Sequence, residues 1–326
     1  MQTEPHTTPG RNVSSLDVHG AVVSLRDLLL QRYNARLIEY ALQRRSVAGI
    51  SGLHLSKMRG RGIDFEEFRP YQAGDDIRTI DWRVTARTGK PYTKVFREER
   101  ERPVIIAVDQ SSSMFFGSRH AFKSVIAAQA AAIFCWLAID NGDRVGGLVH
   151  TDGQHSLIRP RRSRRSALHL LNQIQQYNHA LAEHDAERIT RREKTGDTGL
   201  ANALHRIRRI TKPGSTLYLI SDFSSIDEAG MRYLYQISRH NNVVCCFVYD
   251  RLEEELPLPG YYGITDGQDT GTLNAFDRKA RETYHDLFDE HFRHLKGELD
   301  KMQIPLLTLR TDESVMERIQ TWTQTR

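Results

Sequence analysis

Cysteine is scarce in this chain: three in 326 residues, with no Cys-x-x-Cys pair. That excludes a disulfide framework and a thiolate metal knuckle. Cys135 falls in an apolar helical stretch, and Cys245 and Cys246 are adjacent in a strand, so all three read as small buried hydrophobes. Long apolar runs are missing as well. The longest, around Ala130 to Ile139, is well short of the roughly 20 residues that span a bilayer. The opening MQTEPHTTPGRNVSS has no apolar centre, so no secretory signal is expected and the reading is cytoplasmic, with no membrane span. Neither sign of charge dominates: 46 basic residues stand against 41 acidic, a net charge of +5 that selects no partner. Enzyme signatures are absent too: no Gly-x-Ser-x-Gly elbow and no His-Glu-x-x-His, while Gly89-Lys90 is followed by Pro91, which no P-loop allows.

What remains is an ordinary globular composition, 39% hydrophobic and 27% charged, without internal repeats. Residues 1–15 read as a flexible tail. Residues 16–102 read as a helix, Val22 to Arg45, followed by a small mixed subdomain. The helix carries Leu28, Leu29, Tyr33, Leu37, Tyr40 and Ala41 at helical spacing. The subdomain has isolated aromatics, among them Phe68, Tyr71 and Tyr92, with Trp82 expected to anchor its core.

The character changes at Pro103. Val104 to Val108 (VIIAV) is a continuous β-branched run suited to a strand buried on both faces. An apolar helix from Ala121 to Ile139 ends at Asn141-Gly142, a good stop signal. A hairpin around Asp152-Gly153 follows. Further helices (Ser166 to Tyr177, Leu200 to Ile210, Glu228 to Arg239, Phe276 to Met302, Ser314 to Trp322) alternate with the strands Thr216 to Ser221, Val243 to Tyr249 and Pro305 to Leu309. Residues 103–326 are therefore predicted to form a doubly wound α/β domain on a mostly parallel, Rossmann-like sheet.

In such sheets ligands bind beyond the carboxyl ends of the strands. Three places there are chemically informative: Asp109-x-Ser111-x-Ser113 after the first buried run, Ser221-Asp222 after TLYLI, and Gly196-Asp197-Thr198-Gly199 opening a helix. Two carboxylates and three hydroxyls make a hard oxygen set, suited to Mg²⁺, with Mn²⁺ or Ca²⁺ as alternatives. So few protein charges leave the ion electrophilic, free to accept a carboxylate from another molecule.

Asp109, Ser111, Ser113, Thr198 and Asp222, in that order, resemble the metal-ion-dependent adhesion site (MIDAS) of von Willebrand factor A domains, a resemblance covering roughly Pro103 to Arg326. A second one lies upstream. Phe65-Glu66-Glu67-Phe68-Arg69-Pro70-Tyr71, Gly74-Asp75-Asp76-Ile77-Arg78, Ile80-Asp81-Trp82, Ala86-Arg87 and Gly89 resemble the block of the MoxR-associated family called domain of unknown function fifty-eight (DUF58). Those prokaryotic proteins place this block ahead of an A-type domain. The resemblance implies a von Willebrand factor A-like fold, a protein-protein interaction role without catalysis, and a MoxR-type AAA+ ATPase as partner. It also implies that the five residues hold the ion and that an incoming acidic side chain completes its shell. Here Phe223 follows Asp222 where A domains commonly carry glycine.

Plainer readings stand beside these. Asp109, Ser111 and Thr198 are also good helix caps, and Gly74-Asp75-Asp76 reads as a turn with an Asx-type cap. Arg69, Arg78, Arg83 and Arg87 suit internal pairing or a partner surface. His150 and His155 lack a third neighbour for zinc. The run Arg159 to Arg165 suits a solvated face, an acidic protein or nucleic acid, though it has no interleaved aromatics for base stacking. A metal-dependent phosphatase built on Asp109 needs a lysine to steady phosphate, and none is obvious from sequence.

Overall fold

Val104, Ile106 and Val108 turn to one side of a sheet, and Ile105 and Ala107 to the other. That alternation is the period of a strand. Both sets are buried because helices cover both faces, which is why the run is apolar throughout. The computed structural model describes residues 16–47, 64–72, 75–97, 102–188, 199–265 and 270–325.

Two units are formed, one by Met1–Ser56 with Arg102–Arg326 and the other by Lys57–Glu101. In chain order the elements are α1 (Leu25–Val47), β1 (Asp64–Pro70), α2 (Trp82–Thr88), β2 (Tyr92–Arg97), β3 (Pro103–Asp109), α3 (Lys123–Asp140), β4 (Arg144–His150), β5 (His155–Arg161) and α4 (Arg164–Arg188). They continue with α5 (Leu200–Ile210), β6 (Thr216–Ser221), α6 (Glu228–Ser238), β7 (Asn242–Tyr249), the single turn α7 (Arg251–Glu254), β8 (Tyr261–Thr265), β9 (Thr270–Asn274), α8 (Arg278–Lys301), β10 (Leu306–Arg310) and α9 (Val315–Gln324).

Six strands of the larger unit form one sheet in the order β10-β7-β6-β3-β4-β5. All neighbours are parallel except β4 and β5, which pair antiparallel through the expected Asp152-Gly153 hairpin. The α/β, doubly wound, mostly parallel architecture expected from the sequence is the one observed. Helices α1, α3, α4 and α9 share a core with Ile106 and Val108, while α5, α6 and α8 cover the face of Ile105 and Ala107. Strand order reverses between β3 and β6, so the crevice beyond their carboxyl ends is the topological switch point where ligands sit in open α/β sheets. A small antiparallel pair, β8 with β9, was not anticipated from sequence.

Helix α3 has the length and apolarity to cross a membrane, yet 83% of it is buried inside this fold, where it is the central core helix. It stops where the sequence suggested: Gly142 takes φ +82°, and the amides of Gly142 and Asp143 return to the carbonyls of Ile139 and Ala138. At the junction of β3, β4 and β5 the glycines Gly146 and Gly147 permit close backbone approach. A Cβ at Gly146 would lie 2.4 Å from the Ile158 carbonyl oxygen, and one at Gly147 2.3 Å from that of Ile106.

Helix α1 corrects an expectation. Its buried side is Leu28, Gln31, Ala35 and Ile38, whereas Leu29, Tyr33, Leu37 and Tyr40 from the predicted stripe are exposed. The reason is polar: Gln31 and Asn34 join a buried hydrogen-bonded set with Gln129 and Asp17, so the face seated on α3 contains amides that an apolar count overlooks. This packing joins α1 to the larger unit.

In the smaller unit β1 and β2 pair antiparallel with a bulge between Phe65 and Glu67. Asp76 caps a short 3-10 turn at Ile77–Thr79, and Asp81 caps α2. Asp75 pairs with Arg69 at 2.7 Å and accepts from the Gln72 amide, as the turn reading of this stretch anticipates. Trp82 does not anchor a core here. It is 67% exposed, because the first helical position after the Asp81 cap turns its side chain outward on a helix with no buried residue.

Candidate functional site

β3 ends at Asp109 and β6 at Ser221, and their neighbouring positions bring the first and last parts of the predicted constellation together. The Ser221 hydroxyl donates to Asp109 Oδ2 at 2.6 Å, and the Ser111 amide donates to Asp109 Oδ1 at 2.9 Å. Asp109 is 1% exposed, so its charge is held by these two donors inside the fold. It thereby fixes the turn that carries the serines. The Ser112 amide is tied in turn to Asp152 Oδ2 of the β4–β5 hairpin at 2.9 Å.

Beyond this turn, Ser111 Oγ and Ser113 Oγ stand 3.2 Å apart. Ser113 is also near enough to help lower the Asp222 carboxyl. Asp222 Oδ1 accepts from the Ser224 amide at 3.0 Å and the Ser224 hydroxyl at 2.8 Å. Four of the five predicted residues, Asp109, Ser111, Ser113 and Asp222, therefore meet in one place. Thr198 lies outside the described residues; the described helix begins beside it, at Gly199 and Leu200.

Phe223 takes φ +55°, the left-handed region that glycine favours, at the position where the A-domain resemblance leads to an expectation of glycine. Its ring is fully buried and stacks toward Phe247 at 6.5 Å, and its amide donates to Ser221 Oγ. Packing thus holds a conformation that the backbone alone disfavours.

Sequence reasoning missed the basic partner of the site. Lys123 Nζ lies 2.8 Å from Asp222 Oδ2 and 2.6 Å from Glu253 Oε1, with Lys123 itself 1% exposed. Burial lowers its pKa, but the two carboxylates more than offset this and hold it above the ordinary lysine value. Burial pushes Asp222 up, and Lys123 with the Ser224 and Ser113 hydrogen bonds brings it below the usual carboxylate range. Glu253 moves the other way: burial keeps it above its ordinary value despite Lys123. One signal for Lys123 was available, since no other charged residue occurs in α3 before Asp140. Glu253 and Ser224 offered none.

Glu253 continues the network. Its Oε2 accepts from the Asp250 amide, and Asp250 accepts from the Leu252 and Ser118 amides and the Thr311 hydroxyl. His150, 3% exposed, places Nδ1 3.9 Å from Asp109 Oδ1, and neither ring nitrogen has a hydrogen-bond partner among the described residues. Among the described residues no three His, Cys, Asp or Glu side chains are grouped so as to hold a metal ion. The cysteines are buried and unbonded, and burial pushes the Cys135 thiol to about 12. Arg159, Arg161, Arg164 and Arg165 are all exposed.

The family model described as "Protein of unknown function DUF58" matches residues 67–294, and the chain belongs to that family. Among curated proteins it is similar to the uncharacterized protein Rv1480 of Mycobacterium tuberculosis and to Mb1516 of Mycobacterium bovis. Each is 29% identical over 279 residues, which is 85% of this chain and 84% of the relative. Among solved structures it is similar to the conserved hypothetical protein BatB from Bacteroides thetaiotaomicron, at 14% identity and a TM-score of 0.39, over 69% of this chain and 98% of that one. It is also similar to a von Willebrand factor type A protein from Catenulispora acidiphila, at 16% identity and a TM-score of 0.35, over 71% of this chain and 43% of that one.

Proposed function

We propose that this protein is a non-catalytic, divalent-cation-dependent protein-interaction module that recruits substrates to, or adapts them for, a MoxR-type AAA+ ATPase. The observation that carries the reading is the convergence of the Ser111 and Ser113 hydroxyls beside the Asp109 and Asp222 carboxylates. Mg²⁺ prefers octahedral oxygen ligands at about 2.0–2.1 Å, which sets adjacent ligands about 3 Å apart. The 3.2 Å between the two hydroxyl oxygens is close to that edge. The Asp109 and Asp222 carboxylates beside them supply a negative field that draws a dication, and Lys123 offsets part of it. The residues therefore fit.

Ser111 and Ser113 are the direct donors in this reading. Asp109 orients Ser111 through its amide, and Ser113 is held beside it by the contact between the two hydroxyls. Thr198 completes the set on the strength of the A-domain resemblance. When bound, the cation supplies an electrophilic corner for a partner's Asp or Glu carboxylate. The ATPase assignment rests on family resemblance alone.

The test uses Ser111→Ala combined with Ser113→Ala, which removes donors without stranding a buried charge. Mg²⁺ affinity by calorimetry is expected to fall roughly tenfold or more, and chelator-sensitive capture of a MoxR-type ATPase is expected to be lost. If both persist unchanged, the reading is wrong.

The phosphatase alternative gains a lysine but not a free one, since Lys123 is committed to two carboxylates. The exposed arginines of β5 and α4 support nucleic acid only as a second reading. It predicts binding that weakens steeply with salt and on loss of Arg159 and Arg161.

A further inference from the structure

We propose that Lys123 is the built-in counter-ion of this site and limits how tightly a divalent cation is held there, an inference that rests on the cation-dependent reading above. Two forces oppose an ammonium at this position. It is 1% exposed, and it occupies the first turn of α3, where the helix dipole favours negative charge. Its place is explained by the carboxylates it touches, Asp222 at 2.8 Å and Glu253 at 2.6 Å.

Asp222 is shared. It accepts from Lys123 on Oδ2 and from the Ser224 amide and hydroxyl on Oδ1, so the carboxylate beside the candidate donors is already partly neutralised from behind. A dication drawn to Ser111 and Ser113 meets a weakened negative field and repulsion from the ammonium. Affinity is held down as a result, and an acidic side chain from the partner gains importance in restoring the charge balance. Glu253 adjusts the same balance from α7, because it competes with Asp222 for the ammonium. In this way α7 and its Asp250 cap are linked to the site through one lysine.

The experiment measures Mg²⁺ binding by calorimetry, and the melting temperature with and without MgCl₂, on the full chain and on Lys123→Met. Methionine retains the apolar stem and removes the charge. Expected is roughly tenfold or greater tightening of Mg²⁺ binding, together with a larger Mg²⁺-induced rise in melting temperature than in the native chain. Equal or weaker binding by the folded variant overturns the proposal. If Lys123→Met does not fold, Glu253→Gln replaces it. That variant leaves the ammonium to Asp222 alone, so Mg²⁺ binding should weaken roughly tenfold, and unchanged binding overturns the proposal. The two levels separate cleanly. Binding by Lys123→Met but not by the native chain upholds the counter-ion and defeats the cation-dependent function of the native protein. Equal binding by both does the reverse, and no binding by either defeats both.

Discussion

The carboxyl ends of β3 and β6 and the edge strand β5 are both rich in charge, and they handle it in opposite ways. At the first, Asp109, Asp222 and Lys123 are almost wholly buried and every charge has named donors or acceptors. At the second, Arg159 and Arg161 project into water and form no ion pair among the described residues. Buried charge is tolerable only when paired, so each residue there is specified by the others. Exposed charge costs little and specifies little. On β5 the arginines and Pro160 have a local use all the same, for charge and proline on an edge strand discourage pairing with another sheet.

That contrast can be broken by substitution. Asp222→Ala strands Lys123 beside Glu253 and should cost about 3–5 kcal/mol, measured by urea denaturation; a cost under about 1 kcal/mol would place the pair with surface bridges. Phe223→Gly relieves about 1–2 kcal/mol of left-handed strain but empties a ring-sized space worth about 3–5 kcal/mol, so a net loss is expected in the same assay.

Asp250→Asn should cost about 1–3 kcal/mol at neutral pH, and it should change the acid response. Burial raises the Asp250 carboxyl, but hydrogen bonds from Thr311, Ser118 and Leu252 hold it below the ordinary aspartate value. A depressed folded-state value contributes stability that is complete above the unfolded value, about pH 4, and disappears as pH falls through the folded value. Melting curves below about pH 4 should therefore fall less steeply for the variant than for the native chain. Smallest of all, Arg159→Ser with Arg161→Ser should change stability by no more than about 0.5 kcal/mol each. A larger change would mean that the edge is structurally committed after all.

The same contrast explains what was legible beforehand. Strands buried on both faces announce themselves as unbroken apolar runs, so VIIAV and TLYLIS could be placed closely, and Asn141-Gly142 marked the end of α3. The Asp109 loop and Asp222 were visible because they directly follow such runs. Lys123 and Glu253 were missed because their meaning lies in contacts 99 and 130 residues apart, which leave no periodicity. The β8–β9 pair was missed because its strands are only five residues each and include no sustained apolar run. Trp82 and the outer stripe of α1 misled for a related reason: apolar identity was taken for burial, while the buried face of α1 spends positions on Gln31 and Asn34.

Gly146 and Gly147 have an effect that reaches beyond their own strand. With main-chain atoms filling the space a methyl group would need, the spacing of β3, β4 and β5 at this corner is fixed by peptide units rather than by side-chain volume. Leu170 closes the same corner, its Cδ1 2.9 Å from where a Gly147 Cβ would sit, so a bulkier residue at either glycine must shift a strand or α4 bodily. Gly147 pairs with Ile106, and three residues further on the same two strands end at Asp109 and His150. The serine turn thus leaves a strand whose interior is seated by contact between peptide units.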